Sequence, residues 1–412
     1  MLVKRTIQLL STSWLLLATV SLVFGQGQAT TIPAQTPIPQ LDIYGFVMTD
    51  FGFDFRNNDP NWFDVVRPTK LPSFYREFGR NGKTYAGVRQ SKFGVRGTEQ
   101  TSWGELKTQF EFDMFGVGVD AGQTTIRPRF FYGELGAFGA GQTNSPFMDI
   151  DIFPNILEYW GPNGMVFFRN VQVRWMPVRG DTRVTLALER PGASADAGIL
   201  SDRVEIQNVR PRFPYPDLSG EYRQAWKHGY VKVSGIVRNA KLDDQLLNDR
   251  FNLDDSVVGW GVDLSGNLKF GRDVLRLQYV FGEGIQNYMN DAPVDIAAEP
   301  NFGDPTRPIK ATALPLKSMV AFLDHTWNDK WTTAIGYSQL AIDNTVLQRP
   351  SAFHRGQYGI ANLLYTPTSH VLYGGELQWG RRTNFSDGFH SNDYRIQFSF
   401  KYSFEAQIGG VK

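Results

Sequence analysis

Three acids fall close together in the stretch Asn144-Ser-Pro-Phe-Met-Asp-Ile-Asp-Ile-Phe-Pro-Asn-Ile-Leu-Glu-Tyr-Trp-Gly-Pro-Asn-Gly164: Asp149, Asp151 and Glu158, the last followed by Tyr159. The rest of the stretch is rich in Ile, Phe, Leu and Trp, yet Pro146, Pro154, Pro162, Gly161 and Gly164 break any helix or strand. Basic residues recur elsewhere on alternating segments: Lys92, Arg96, Arg174, Lys232, Arg238, Arg276, Arg395 and Lys401. Acids on an irregular segment set against cations on regular walls would make a transverse field, which orients dipolar or anionic solutes. The alternative for each charge is simple solvation, because a wide aqueous pore carries many charged side chains with no selective role.

Catalytic chemistry has little to work with. The five histidines (His228, His325, His354, His370 and His390) are scattered, and none sits in a Gly-x-Ser-x-Gly or His-Glu-x-x-His context. With no cysteine there is no thiol nucleophile, no disulfide scaffold and no thiolate metal site. Asp243-Asp244 and Asp254-Asp255 could hold Ca²⁺ loosely, although a solvated loop explains them equally. The reading is therefore no catalytic residues, no metal, no cofactor, and a protein that is not an enzyme.

Residues 1–29 are laid out as a secretory signal. Lys4 and Arg5 are followed by the short apolar core Trp14–Phe24 and by small residues, with cleavage placed at about Gly25–Ala29. Losing Lys4 and Arg5 takes the formal charge from +1 to −1. Such a balance lacks the basic excess of a nucleic-acid binder. Residues 30–40 read as a Pro/Thr/Gln linker. No apolar run long enough for a membrane helix follows.

From Leu41 onward the chain alternates. In Asp393–Phe404, Tyr394, Ile396, Phe398, Phe400, Tyr402 and Phe404 share one face, and Arg395, Gln397, Ser399, Lys401 and Ser403 the other. Leu275–Phe281, Val171–Trp175 and Val371–Trp379 repeat the pattern. Segments of about ten residues suit a tilted strand crossing a bilayer better than a soluble sandwich. Aromatics near segment ends (Tyr44, Trp103, Tyr132, Trp175, Trp226, Trp260, Trp327, Trp331, Trp379 and Phe404) suit an interfacial girdle. About sixteen strands can be placed between residues 41 and 404, joined alternately by long and short connections. The fold expected is all-β: a 16-stranded antiparallel transmembrane barrel with both termini periplasmic and a tail at 405–412. Alternation is least clean in the first, eighth, twelfth and fourteenth strands, which contacts between subunits would explain.

Sixteen strands leave an aqueous lumen, so a diffusion channel for small hydrophilic solutes is the default function. The stretch at 144–164 joins the fifth and sixth strands. Its apolar content favours a loop folded into the lumen to form the constriction over an external loop packed on neighbouring loops or on a trimer mate. Asp149, Asp151, Glu158 and Tyr159 would line it or brace it against the wall, with Glu111, Asp113, Asp263 and Glu376 as inward acids. A carbohydrate-selective pore, and an adhesive or structural barrel with a blocked lumen, remain the alternatives.

Several runs carry a family resemblance. They are Gly141-Gln142, Asn144, Phe147-Met148-Asp149, Phe153-Pro154-Asn155, Glu158–Gly164 and Phe168-Arg-Asn-Val-Gln172, together with Arg89–Gly97, Tyr44-Gly45-Phe46 and Pro216-Asp217-Leu218. In these the sequence resembles the DcaP-like trimeric porins of Gram-negative outer membranes. The resemblance implies a homotrimeric channel in contact with outer-membrane lipid and lipopolysaccharide, favouring small anions such as dicarboxylates. Some members carry an N-terminal coiled coil; here only the Thr/Pro/Gln linker stands in its place.

Overall fold

The computed structural model describes residues 39–246 and 250–410. The expected signal segment and nearly all of the linker lie outside those residues. Sixteen strands close into one antiparallel barrel. They are β1 (Gln40–Asp54), β2 (Lys83–Gly87 and Lys92–Thr101, interrupted at 88–91), β3 (Gly104–Phe115), β4 (Thr124–Leu135), β5 (Phe138–Asn144), β6 (Arg169–Val178), β7 (Thr182–Glu189) and β8 (Asp217–Trp226). The second half comprises β9 (Gly229–Asp244), β10 (Asp255–Phe270), β11 (Asp273–Glu283), β12 (Pro315–Thr326), β13 (Trp331–Ile342), β14 (Phe353–Thr368), β15 (Val371–Asn384) and β16 (His390–Gly409). Each strand pairs with its sequence neighbour, and β1 closes the ring against β16 from Gln40↔Gly409 to Asp54↔Arg395. Closure leaves the barrel without a free edge, which a bilayer requires.

One rim carries short turns such as 102–103, 136–137 and 271–272; the other carries the long connections 55–82, 145–168, 190–216 and 284–314. A small sheet (Ala195–Asp196, Ile296–Pro300 and Ile309–Ala313) ties two of these long connections together. Outward residues are apolar and exposed, among them Val47, Phe51, Val233, Leu377, Phe398 and Phe400, as a lipid-facing belt demands.

Three expectations change. The last strand does not end at Phe404: Glu405–Gly409 continue it, paired with Gln40–Tyr44. Tyr44 and Tyr132 are not girdle residues. Tyr44 turns inward, donating to Glu111 (2.9 Å) beneath the Arg96 guanidinium, and Tyr132 turns inward beneath Arg174. The poor alternation of β1, β12 and β14 also has an internal cause. Inward Val320 and Phe322 of β12 and Tyr358 and Ile360 of β14 pack on Ile152 and Met165 of the 145–168 connection. Inward Met48 and Leu364 pack on its Leu157. The hydrophobic core of this barrel is therefore the seam between the folded-in loops and the wall, and a strand facing that seam is apolar on both sides.

Candidate functional site

The 145–168 connection lies inside the barrel, held by hydrogen bonds from wall side chains at successive heights. Ser265 and Tyr230 donate to Asp149 Oδ2 (2.7 and 2.8 Å), Lys232 donates to Met148 O (2.6 Å), and the N–H of Gly164 donates to Ser338 Oγ (2.9 Å). Glu376 of β15 accepts the N–H groups of Leu157 (2.7 Å) and Glu158 (2.9 Å). Asp324 of β12 accepts that of Asn155 (3.3 Å). The backbone polar groups of an irregular buried segment need such partners. Gly164 permits the close approach: a Cβ there would lie 2.6 Å from the Gln339 carbonyl oxygen. Gly161 supplies the left-handed turn (φ +87°) that brings its N–H onto Glu158.

The loop acids are placed differently from the expected array against wall arginines. Asp149 is buried and bonded to hydroxyls. Glu158 is buried and accepts from four donors: the N–H groups of Val66 (3.1 Å), Trp160 (3.1 Å) and Gly161 (2.6 Å) and the Tyr358 hydroxyl (2.8 Å). Burial pushes its carboxyl up to about 7, against those hydrogen bonds, which favour the ionised form. Asp151 alone meets a wall arginine, pairing with Arg223 at 2.8 Å. The acids therefore brace the fold, and the loop's lumen side presents Phe153, Ile156 and Tyr159. A desolvated carboxylate needs donors more than it needs a distant positive field, and the loop supplies them from its own backbone.

A second connection also folds in. Trp62, Val65, Val66 and Leu71, from the connection 55–82, are buried. Arg67 lies between the Trp62 and Trp160 rings (4.1 and 4.2 Å) and pairs with Asp291 of the 284–314 connection at 2.9 Å. Arg89, in the break of β2, pairs with Asp64 (2.6 Å) and braces this loop from below. No period in the sequence signals this segment; its Trp-Phe-Asp-Val-Val run is the available sign, apolar residues in a connection that solvent alone would not shelter.

What remains open is a cavity of about 570 Å³, flanked by both loops. Its charged lining is Arg67, Arg127, Arg129, Arg169, Lys401 and the buried Glu158. Arg127 and Arg129 stand on β4 opposite Asp113 and Glu111 of β3. Arg127 Nη2 lies 2.7 Å from Asp113, and Arg129 reaches both Asp113 (2.8 Å) and Glu111 (2.7 Å). Tyr159 joins this cluster through its hydroxyl, 2.7 Å from Arg129, with its ring stacked on Phe115 at 4.3 Å. Arg169 and Lys401 form no ion pair among the described residues; Arg169 stands 4.8 Å from the Phe167 ring and Lys401 5.4 Å from that of Phe46.

Of the residues singled out from sequence, Tyr159, Lys401 and the buried Glu158 border the cavity, and Lys92 lies 3.4 Å from Glu111. The others are held elsewhere. Arg96 stacks on Tyr44, and Arg174 donates to Asn144 O (2.7 Å). Lys232 pairs with Glu221 (2.9 Å), and Arg276 with Asp324 (2.7 Å). Arg238 is buried between Asp217 and Asp295 (2.9 Å each), and Arg395 is buried on Asp54. Alternation places a side chain inward; the loops packed over it then decide whether it meets water. Arg127, Arg129, Arg169 and Arg67 were not singled out. The first two show a period-two sign, interrupted by Pro128 and by the bulge where β4 pairs with β3. The Asp pairs considered for Ca²⁺ are engaged otherwise: Asp243 with Arg212, Asp255 with Arg307 (3.2 Å), and Asp244 with the Leu246 and Leu253 N–H groups (3.0 Å each).

A family model described as DcaP outer membrane protein matches residues 27–404. Comparison with curated proteins returned no match. Among solved structures, the outer membrane channel DcaP of Acinetobacter baumannii is similar at 20% identity and TM-score 0.72, covering 88% of this chain and 97% of that one. An anion-selective porin from Comamonas acidovorans is similar at 10% identity and TM-score 0.57, covering 89% and 100%. OmpT of Vibrio cholerae, in a trimer form, is similar at 12% identity and TM-score 0.54, covering 89% and 99%.

Proposed function

The chain belongs to the DcaP outer membrane protein family, and on that premise we propose that this outer-membrane channel passes small anions, dicarboxylates among them, in preference to cations. The observation that carries the proposal is the sign of the cavity lining. Its half-buried charges are all positive, and its single acid, Glu158, is turned into the loop and enclosed by donors. Arg127 and Arg129 are partly neutralised by Asp113 and Glu111, whereas Arg169 and Lys401 have no carboxylate opposite them among the described residues. An unpaired cation beside a narrow passage with low-dielectric walls attracts anions and repels cations. A lining that combines arginines with apolar side chains suits a solute with charged ends and a short apolar middle, which is the chemistry of a dicarboxylate.

The anion-selective porin from Comamonas acidovorans shares the barrel and lends the reading support from outside this chain. The trimer form of OmpT supports a homotrimeric assembly. Lipid and lipopolysaccharide are the partners of the apolar belt and of the long-loop rim. The test is solute flux into liposomes holding the purified protein. A short dicarboxylate should enter faster than the diamine of the same chain length; equal or reversed rates would refute the anion preference.

A further inference from the structure

The cations of the channel cavity differ in how much of their hydrogen-bonding edge is left open. Arg127 grips Asp113 with both Nε (3.1 Å) and Nη2 (2.7 Å), a forked contact between a planar cation and a planar carboxylate. Arg129 directs Nε to Glu111 (2.7 Å) and Nη1 to Asp113 (2.8 Å) and the Tyr159 hydroxyl (2.7 Å). The chain's own acids fill both forks, and they show how a carboxylate is held in this lumen.

Arg67 and Arg169 are built differently. The Arg67 guanidinium lies over the indoles of Trp62 and Trp160, at 4.1 and 4.2 Å, and its Nε donates to Asp291 (2.9 Å). Asp291 is itself fixed by the Thr69 N–H (2.9 Å). Nη1 and Nη2 of Arg67 make no hydrogen bond among the described residues. Arg169, at the start of β6, lies over the Phe130 ring of β4 and the Phe167 ring of the 145–168 connection, at 5.3 and 4.8 Å. None of its nitrogens makes a hydrogen bond among the described residues, and its Nε is buried. A buried donor without an acceptor is unfavourable until something supplies one. Both arginines line the same cavity.

Aromatic rings that cover the face of a guanidinium hold its plane and leave its edge to bond. Two N–H groups on one edge match the two oxygens of a carboxylate, a fit that a spherical halide does not offer. A guanidinium already held in place loses little freedom when the anion arrives.

We propose that Arg67 and Arg169 make the cavity a saturable binding site for carboxylates, which recognises the planar anion by shape as well as by charge. The inference rests on the anion preference proposed above and adds to it a discrimination among anions, carboxylate over halide. Two such receptors in one cavity suit a solute with two carboxylates. Lys401 is a point charge, and the forks of Arg127 and Arg129 are filled, so these three contribute field without that discrimination. Occupancy is transient, since a conducting site has to release its solute.

The test records chloride current through the full-length protein in planar bilayers while succinate is added at constant ionic strength. In wild type the current falls and then levels off, because bound succinate occupies the path. Butane-1,4-diamine, of the same length and opposite charge, does not block. In Arg67→Lys/Arg169→Lys the charges stay and the forks are lost. The succinate concentration for half-block rises on the order of tenfold, and the reversal potential in a chloride gradient keeps its anion-selective sign. Arg169→Lys alone, at a side chain with no hydrogen bond to lose, raises it roughly threefold and decides the matter if the double variant fails to insert. Equal half-block in wild type and the lysine variants, all anion-selective, overturns the inference and leaves the anion preference standing. A wild-type current that falls in proportion to succinate without levelling off does the same. A cation-selective wild type overturns the anion preference and this inference with it.

Discussion

Lys401 shows how a single residue acts in this channel. It projects inward from β16 with no carboxylate partner among the described residues and lines the cavity. Lys401→Glu reverses a charge beside the solute path. The substitution changes the wall by two unit charges; at on the order of 1 kcal/mol per unit charge a passing anion loses about 2 kcal/mol, roughly a thirtyfold fall in its permeability, and a cation is favoured in turn. The shift should appear in the reversal potential of the variant with its thermal stability unchanged; an unaltered potential would place Lys401 outside the path. Glu158 acts through the fold instead. Its carboxyl is raised from 4.5 to about 7 by burial, so the folded loop binds the proton more tightly than the open one. Loop anchorage is strongest at low pH and weakens as pH rises through about 7. Open-channel current noise should therefore increase from about pH 4.5 to about pH 7 and level off above it. Glu158→Gln sets an amide N–H₂ against a backbone donor, at a cost of about 1–3 kcal/mol, and removes the pH dependence. A variant that keeps the wild-type pH profile would assign the effect to another group.

The element that governs the lumen is the 145–168 connection, and its place was legible for a physical reason. Strand alternation numbered the fifth and sixth strands, and apolar residues in a broken segment have no shelter except inside the barrel. The direction of its acids was not legible, because an irregular backbone has no period from which a facing side can be read. The inward fold of 55–82 was hidden for the same reason, and with it the burial of Arg395, as was the burial of Arg238 by the 190–216 and 284–314 connections. Wall-to-loop anchoring gives a direct test. Glu376→Ala strips the acceptor from the Leu157 and Glu158 N–H groups. Leaving two buried donors unpaired costs about 2–6 kcal/mol, enough to detach the loop from β15. Single-channel conductance should rise with the barrel intact; unchanged conductance would mean that the loop does not set the bore.

For the molecule as a whole, the barrel presents an apolar belt outward and keeps its polar chemistry inside. Phe51 and Phe398 are register partners across β1 and β16, each more than half exposed. Phe398→Arg should destabilise the barrel in a bilayer by about 2–4 kcal/mol if the pair lies at mid-depth, and less toward either interface. Reversible unfolding in lipid vesicles measures it. No loss would mean that this wall is covered by another subunit or faces water. The overall fold was the most legible feature, since closure, strand number and alternating connection lengths are periodic properties of a sequence. Selectivity was the least legible, because it depends on a few unpaired charges left over after the loops have folded in. The most direct test of the central claim is the reversal potential of the purified wild-type protein in a planar bilayer under a salt gradient. A cavity whose free charges are Arg169 and Lys401 predicts an anion-selective sign; a cation-selective potential would contradict it.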